Sequence, residues 1–205
     1  RHPPHHVMAS VVVRLYDLTQ GMATALAPTV IGQEVEGIWH SGVVVFGTEF
    51  FFGAGIQRVG SSEFQHLFGM AAARELPLGT TEVPPEVFDD WVKDQKERFS
   101  VATYDLVNRN CNHFADEAVH FLTGNRLPSY VTSQANELIS LLLRSPLAGM
   151  VRPMLEGLTA GGPMGRLVPS AQVQGLPMGE GEVGEGGARQ ATEGGVAPAA
   201  PEDAR

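Results

Sequence analysis

The sequence predicts an α+β fold: a small antiparallel sheet packed against helices, followed by a tail that does not fold. Three observations carry this. Val11–Leu18 (VVVRLYDL) and the stretch Gly37–Ile56 are rich in β-branched and aromatic residues, with a glycine turn in the second. Two later segments, one after Pro84-Pro85 and one from Cys111, place apolar residues at helical spacing. From Gly157 to Arg205 there are 12 Gly and 5 Pro in 49 residues and no aromatics, too little apolar surface to offset the entropy of ordering. The expected organisation is a disordered segment at 1–10, one folded domain at 11–150 and a mostly disordered tail at 151–205.

In chain order, the first strand is Val11–Leu18. Gln20–Gly32 reads as a short helix ended near Pro28 or Gly32. GIWHSGVVVF and EFFFGAGI form a hairpin about Gly47-Thr48, where Gly at the first turn position fits a type II′ loop. Ser61–Arg74 reads as loop with some helix, and Leu78–Val83 as a strand. Pro84-Pro85 suits the first turn of a helix whose Phe88, Trp91, Val92, Gln95 and Phe99 share a face. A short strand is expected at Ala102–Leu106. The helix from Cys111 closes at Gly124, another spans Gln134–Arg144, and a weaker one follows Pro146 to about Leu158.

Composition excludes several functions. The net charge of −9, without any Lys/Arg cluster, argues against nucleic acid as a partner. A single cysteine rules out an intramolecular disulfide and the usual cysteine-based zinc sites, and fits a reducing compartment. Arg1–His6 is polar and is not followed by an apolar run, so no signal peptide is read. Leu138–Val151 is broken by Arg144 and Pro146, short of the roughly 20 residues of a membrane span. The expectation is a soluble, intracellular protein.

Cys111, Phe114, Ala115, Ala118 and Leu122 fall on one stripe of their helix, with Asn110 as its N-cap. A thiol in the first turn faces the positive end of the helix dipole and unpaired N–H groups. Both are expected to lower its pKa, and the N–H groups to hold an oxyanion. The alternative from the helix alone is that Cys111 is a small core hydrophobe. A thiol nucleophile needs a base, and His40 is the one histidine inside an apolar strand, on the face of Ile38, Gly42 and Val44. A histidine satisfied in the core is the competing reading. Trp39 and Phe50–Phe52 are candidates for a substrate groove, with core packing as the alternative. No phosphate loop, G-x-S-x-G elbow or H-E-x-x-H is present.

The blocks YDLTQGMA, IGQEVEGIWHSGVVV, EFFFGAGI, LGTTEV and NRNCNHFADEAVHFLTGNRLPSYV occur in this order. In this the chain resembles, from Val11 to Arg144, the PPPDE family of permuted papain-fold peptidases. The resemblance implies a circularly permuted papain-like fold, with the histidine strand ahead of the cysteine helix. It implies a Cys–His dyad at Cys111 and His40, with Trp39, Asn110 and Asn112 as supporting residues. It implies an isopeptidase that removes SUMO-like modifiers from protein lysines through a thioester, without cofactor or metal. Partners are then SUMO- or ubiquitin-modified proteins, the assembly a homodimer, and the setting cytoplasmic and nuclear. Position 113 departs from the family in being His, and Gln57–Ala73 diverges; that loop is expected to shape the substrate groove. Alternatives on the same dyad are a deubiquitinase or an S-acyl thioesterase. The second arises because N-C-N-H-F also resembles the N-C-E-H-F block of lecithin–retinol acyltransferase-like proteins. A non-catalytic binding module is the third reading.

Overall fold

The first strand, β1 (Ala9–Asp17), shows the alternation that a two-sided sheet demands. Val11, Val13 and Leu15 are buried on one face, and Arg14 and Tyr16 turn to the other. The chain then forms α1 (Met22–Ile31), with Pro28 inside and a left-handed Gly32 as its cap. β2 (Trp39–Val45), β3 (Thr48–Gly53) and β4 (Gly55–Gly60) form a meander. After α2 (Phe64–Phe68), β5 (Arg74–Thr81) returns beside β1. Three helices of the C-terminal half follow α3 (Pro85–Asp94): α4 (Cys111–Thr123), α5 (Ser129–Thr132) and α6 (Gln134–Arg144). This computed structural model describes residues 8–145, with 148 and 149. The tail expected at 151–205 and residues 1–7 lie outside the described residues.

The five strands are antiparallel in the order β4-β3-β2-β1-β5. One face carries Val11, Val13, Leu15, Trp39, Val43, Phe50 and Phe52, and packs on Phe88, Phe114, Ala118 and Leu122 of α3 and α4. The opposite face carries Tyr16, Phe51 and Val59 and packs on Phe64 of α2, with Leu67, Phe68 and Met70 around it. The architecture is therefore the α+β arrangement with the histidine strand ahead of the cysteine helix.

Three local expectations are corrected. Val45 pairs with Thr48, so the hairpin loop is Phe46-Gly47. Both residues have positive φ (51° and 71°), which makes it type I′ and leaves Thr48 free to enter the strand. EFFFGAGI is not one strand: Gly53 pairs with Gly55 and the chain folds back at Ala54 into β4. No strand forms at Ala102–Leu106. Ser100 and Thr103 close a capping box on a 3₁₀ turn at Val101–Thr103, and Asp105 Oδ1 accepts the N–H groups of Val107 (2.8 Å) and Asn108 (2.9 Å). Those side-chain acceptors compete with a ladder for the backbone.

Candidate active site

α4 begins where the sequence places it. Asn110 is extended, and its Oδ1 accepts the N–H of Asn112 (2.9 Å) and of His113 (3.3 Å), while its Nδ2 donates to Leu106 O (2.7 Å). His113 completes the capping box, its Nδ1 lying 3.3 Å from Asn110 N and 2.8 Å from Asn110 Oδ1; a neutral ring serves one of these at a time. The helix ends on left-handed Gly124. Cys111 thus occupies the first turn, held in register by a cap on either side.

What α4 docks against is the edge of the histidine strand. β3 pairs with β2 only from Gly42 onward, so on that side the main chain before Gly42 has no strand partner. Side chains take its place. Gln134 of α6 donates from Nε2 to Gly37 O and accepts the N–H of Trp39 at Oε1, both at 2.7 Å, as a neighbouring strand would. Asn112 donates to Trp39 O (3.3 Å) and to Val131 O (3.1 Å), and its Oδ1 accepts the hydroxyl of Ser41 (2.9 Å). The next donor along the edge, Ser41 N–H, lies near enough to the Cys111 thiol to favour its thiolate, as do the N–H groups of Cys111 and Asn112. The residues on either side of His40 are therefore tied to the residue after Cys111, and the thiol lies at the edge of His40's strand.

His40 pairs across the sheet with Tyr16 and turns to the α2 face. Its ring contacts Tyr16 (centroids 6.3 Å), Phe51 (5.8 Å, edge-on) and Phe64 (6.1 Å, near parallel). Nε2 is buried without a hydrogen-bond partner. The thiol donates to Asn112 Oδ1 at 3.7 Å, and no hydrogen bond joins it to His40. The two residues are 5% and 3% exposed, and burial decides their charge. The Cys111 thiol is pushed up to about 11, desolvation outweighing the N–H groups of Ser41, Asn112 and Cys111, which favour the thiolate. Desolvation pushes His40 down to about 4. The resting pair is neutral at pH 7, which corrects the expectation that the helix start alone lowers the thiol pKa.

Residues 9–154 match the PPPDE putative peptidase domain. Desumoylating isopeptidase 1 of Xenopus laevis is 40% identical over 152 residues, covering 71% of this chain and 84% of that protein. Desumoylating isopeptidase 1 of Homo sapiens is 34% identical over 167 residues (81% and 95%), and that of Rattus norvegicus 35% over 168 (81% and 95%). The chain belongs to the PPPDE peptidase family.

Within this PPPDE domain the supporting residues divide. Asn110 caps the helix of Cys111, and Asn112 ties that helix to β2. Trp39 contributes through its main chain: its ring is in the core, with the Arg74 guanidinium 5.3 Å from its centroid and Gly37 so close that a Cβ there would lie 2.9 Å from the ring. Phe50, Phe51 and Phe52 are core too. Two of the α4 N–H groups expected to hold an oxyanion already serve the Asn110 cap, although the Asn112 N–H still favours the thiolate. Gln134, Ser41 and Phe64 border this candidate site, and nothing in the sequence reading marked them. Asn or Gln facing an unpaired strand edge is a usable signal only once that edge is known. Behind His40, buried Glu49 accepts from Tyr16 Oη (2.8 Å) and Arg14 Nη1 (3.1 Å), filling the space over Gly42. Among the described residues no cluster of three metal-ligating side chains forms, and no helix is long and apolar enough to cross a membrane.

Proposed function

We propose that this peptidase is a cysteine isopeptidase that removes SUMO-like modifiers from protein lysines, with Cys111 as nucleophile and His40 as base. The observation that carries the reading is the stitched edge of β2, which ties Trp39 and Ser41, on either side of His40, to Asn112, the residue after Cys111. The relatives' name, desumoylating isopeptidase, supports the substrate class.

In the proposed reaction the thiol proton passes to His40 as sulfur attacks the carbonyl of the modifier's C-terminal residue. The C–N bond to lysine then breaks, and the imidazolium returns the proton to the leaving amine. Water, deprotonated by His40, hydrolyses the thioester and releases the modifier carboxylate and the free thiol. Because both groups rest neutral, His40 acts as a true general base rather than as half of a preformed ion pair. The N–H groups of Cys111 and Ser41 are the proposed oxyanion donors, each worth about 3 kcal/mol in comparable sites.

Cleavage of a SUMO–lysine isopeptide by the purified chain, compared with ubiquitin–lysine and S-acyl substrates, tests this. Cys111→Ser and His40→Ala are expected to abolish SUMO release while keeping the native melting transition. Full activity in either refutes the dyad, and faster turnover of an S-acyl or ubiquitin substrate refutes the substrate class. Homodimer assembly and residence in cytoplasm and nucleus belong to the same proposal, and light scattering and cell fractionation read them.

A further inference from the structure

A base in a cysteine hydrolase must be held at a fixed tilt, and a hydrogen bond from a second side chain commonly does this. Here no hydrogen bond reaches His40 Nε2. What surrounds the ring is aromatic. Phe51 meets it edge-on at 5.8 Å and Phe64 lies nearly parallel at 6.1 Å. Phe64 is itself stacked on Tyr16 at 4.1 Å with a 22° interplanar angle, set edge-on to Phe51 at 5.2 Å, and backed by Phe68 at 4.6 Å. Tyr16 is fixed from behind by its hydroxyl on Glu49. Of the three walls, two stand on β1 and β3, which the sheet locks in place; Phe64 alone stands on α2, within the Gln57–Ala73 stretch.

Resting on the dyad reading, we propose that Phe64 is a positioning residue for His40: it closes an aromatic box that fixes the imidazole's tilt in place of a hydrogen-bonding side chain. The box also keeps water from Nε2, so the ring stays neutral and able to accept a proton. The depressed pKa agrees with this, its cause being desolvation. The titratable groups on the elements that pack about the ring are few. β1 and β3 carry Tyr16, Arg14 and Glu49, bound to one another, and α4 carries Cys111; desolvation is the one cause of the His40 shift. On α2's own segment, Glu63 and His66 are exposed. Nothing else in the box replaces the lost wall if Phe64 is truncated. Water then reaches Nε2 and the ring gains rotational freedom.

The test uses the full chain, with Phe64→Ala and Phe64→Leu. The pH dependence of kcat and KM is measured on a SUMO C-terminal amide. Separately, NMR titration follows the His40 Cε1–H in a Cys111→Ser background, assigned by its loss in His40→Gln. In Phe64→Ala the acid limb and the NMR midpoint are expected to rise by at least about one pH unit. Its kcat should fall about tenfold with KM changed less than about twofold, the mark of lost alignment. Phe64→Leu keeps an apolar wall without a flat ring, so it should retain the low midpoint and still lose kcat. Should Phe64→Ala not fold, Phe64→Leu decides by that split. A wild-type midpoint and kcat in Phe64→Ala, or wild-type kcat in Phe64→Leu, overturns the proposal. A fully active His40→Ala instead removes the dyad reading; it is seen apart from the NMR titration, which reads the box whatever the enzyme cleaves.

Discussion

Replacing Asn112 with Ala removes the bracket between the cysteine helix and the histidine strand. Besides the long contact from the Cys111 thiol, Asn112 satisfies three groups in the interior: Trp39 O, Val131 O and the Ser41 hydroxyl. Val131 and Ser41 are fully buried, so water does not readily replace the lost partner. At about 1 kcal/mol for each unmatched group, the variant loses about 3 kcal/mol of stability. With a slope of about 1.5 kcal/mol per molar for a domain of this size, the urea midpoint falls by about 2 M. Asn110 still caps α4, so the helix persists and Cys111 shifts relative to β2. A displacement of that kind lowers kcat/KM by about a hundredfold. Urea titration followed by tryptophan fluorescence gives the first number, and SUMO-amide cleavage in buffer the second. Asn112→Leu separates hydrogen bonding from packing: it fills the volume, yet it should be no more stable than Asn112→Ala. A midpoint within about 0.3 M of wild type in either variant would refute the bracket.

The same physics sets a pH window. His40 is pushed down to about 4 from the ordinary 6.5, so between these values the unfolded chain binds the proton more readily than the folded one. Stability is full above pH 6.5 and falls by about 3 kcal/mol towards pH 4, and His40→Gln should flatten that slope in urea midpoints taken across the range. Burial of Cys111, pushed up to about 11 from 9, acts at the other end, with stability lost as pH rises above 9; Cys111→Ser should remove that loss in the same titration. Gln134→Ala strands Gly37 O and Trp39 N–H and should cost about 2 kcal/mol by thermal melt. Gly42→Ala drives a Cβ into the carboxylate of Glu49, which Tyr16 and Arg14 pin, and should cost about 3 kcal/mol. Gly60→Ala meets only the flexible end of exposed Glu63 and should cost less than about 1 kcal/mol by the same melt.

Features written in local spacing were legible in the sequence. The Asn110 cap, the inward stripe of α4, the Gly124 stop and Pro85 in the first turn of α3 each depend on residues within a few positions, and each is found. His40 and Cys111 were legible only as a pair of motif blocks. The reversal at Ala54 was missed because EFFFGAGI satisfies a strand pattern whether or not the glycines bend it. Ser61–Arg74 was legible only as loop with some helix, because Phe64 and Phe68 give one turn of helical spacing, and that one turn is α2. Gln134 lies far along the chain from the edge it covers. The thiol pKa had the wrong sign for the same reason: dipole and cap are local, whereas desolvation depends on what the fold puts on top.

The side chains that finish the edge of β2 come from far away in sequence. Asn112 is 73 residues from Trp39, and Gln134 is 95 residues from Trp39 and 97 from Gly37. Closing such long loops is entropically late. During synthesis the whole sheet, His40 included, is available before α4 has left the ribosome. The strand edge is finished only after residue 134 has emerged. A half-made chain therefore holds His40 in its strand before Cys111 has docked beside it, so on the proposed dyad reading activity waits for residue 134.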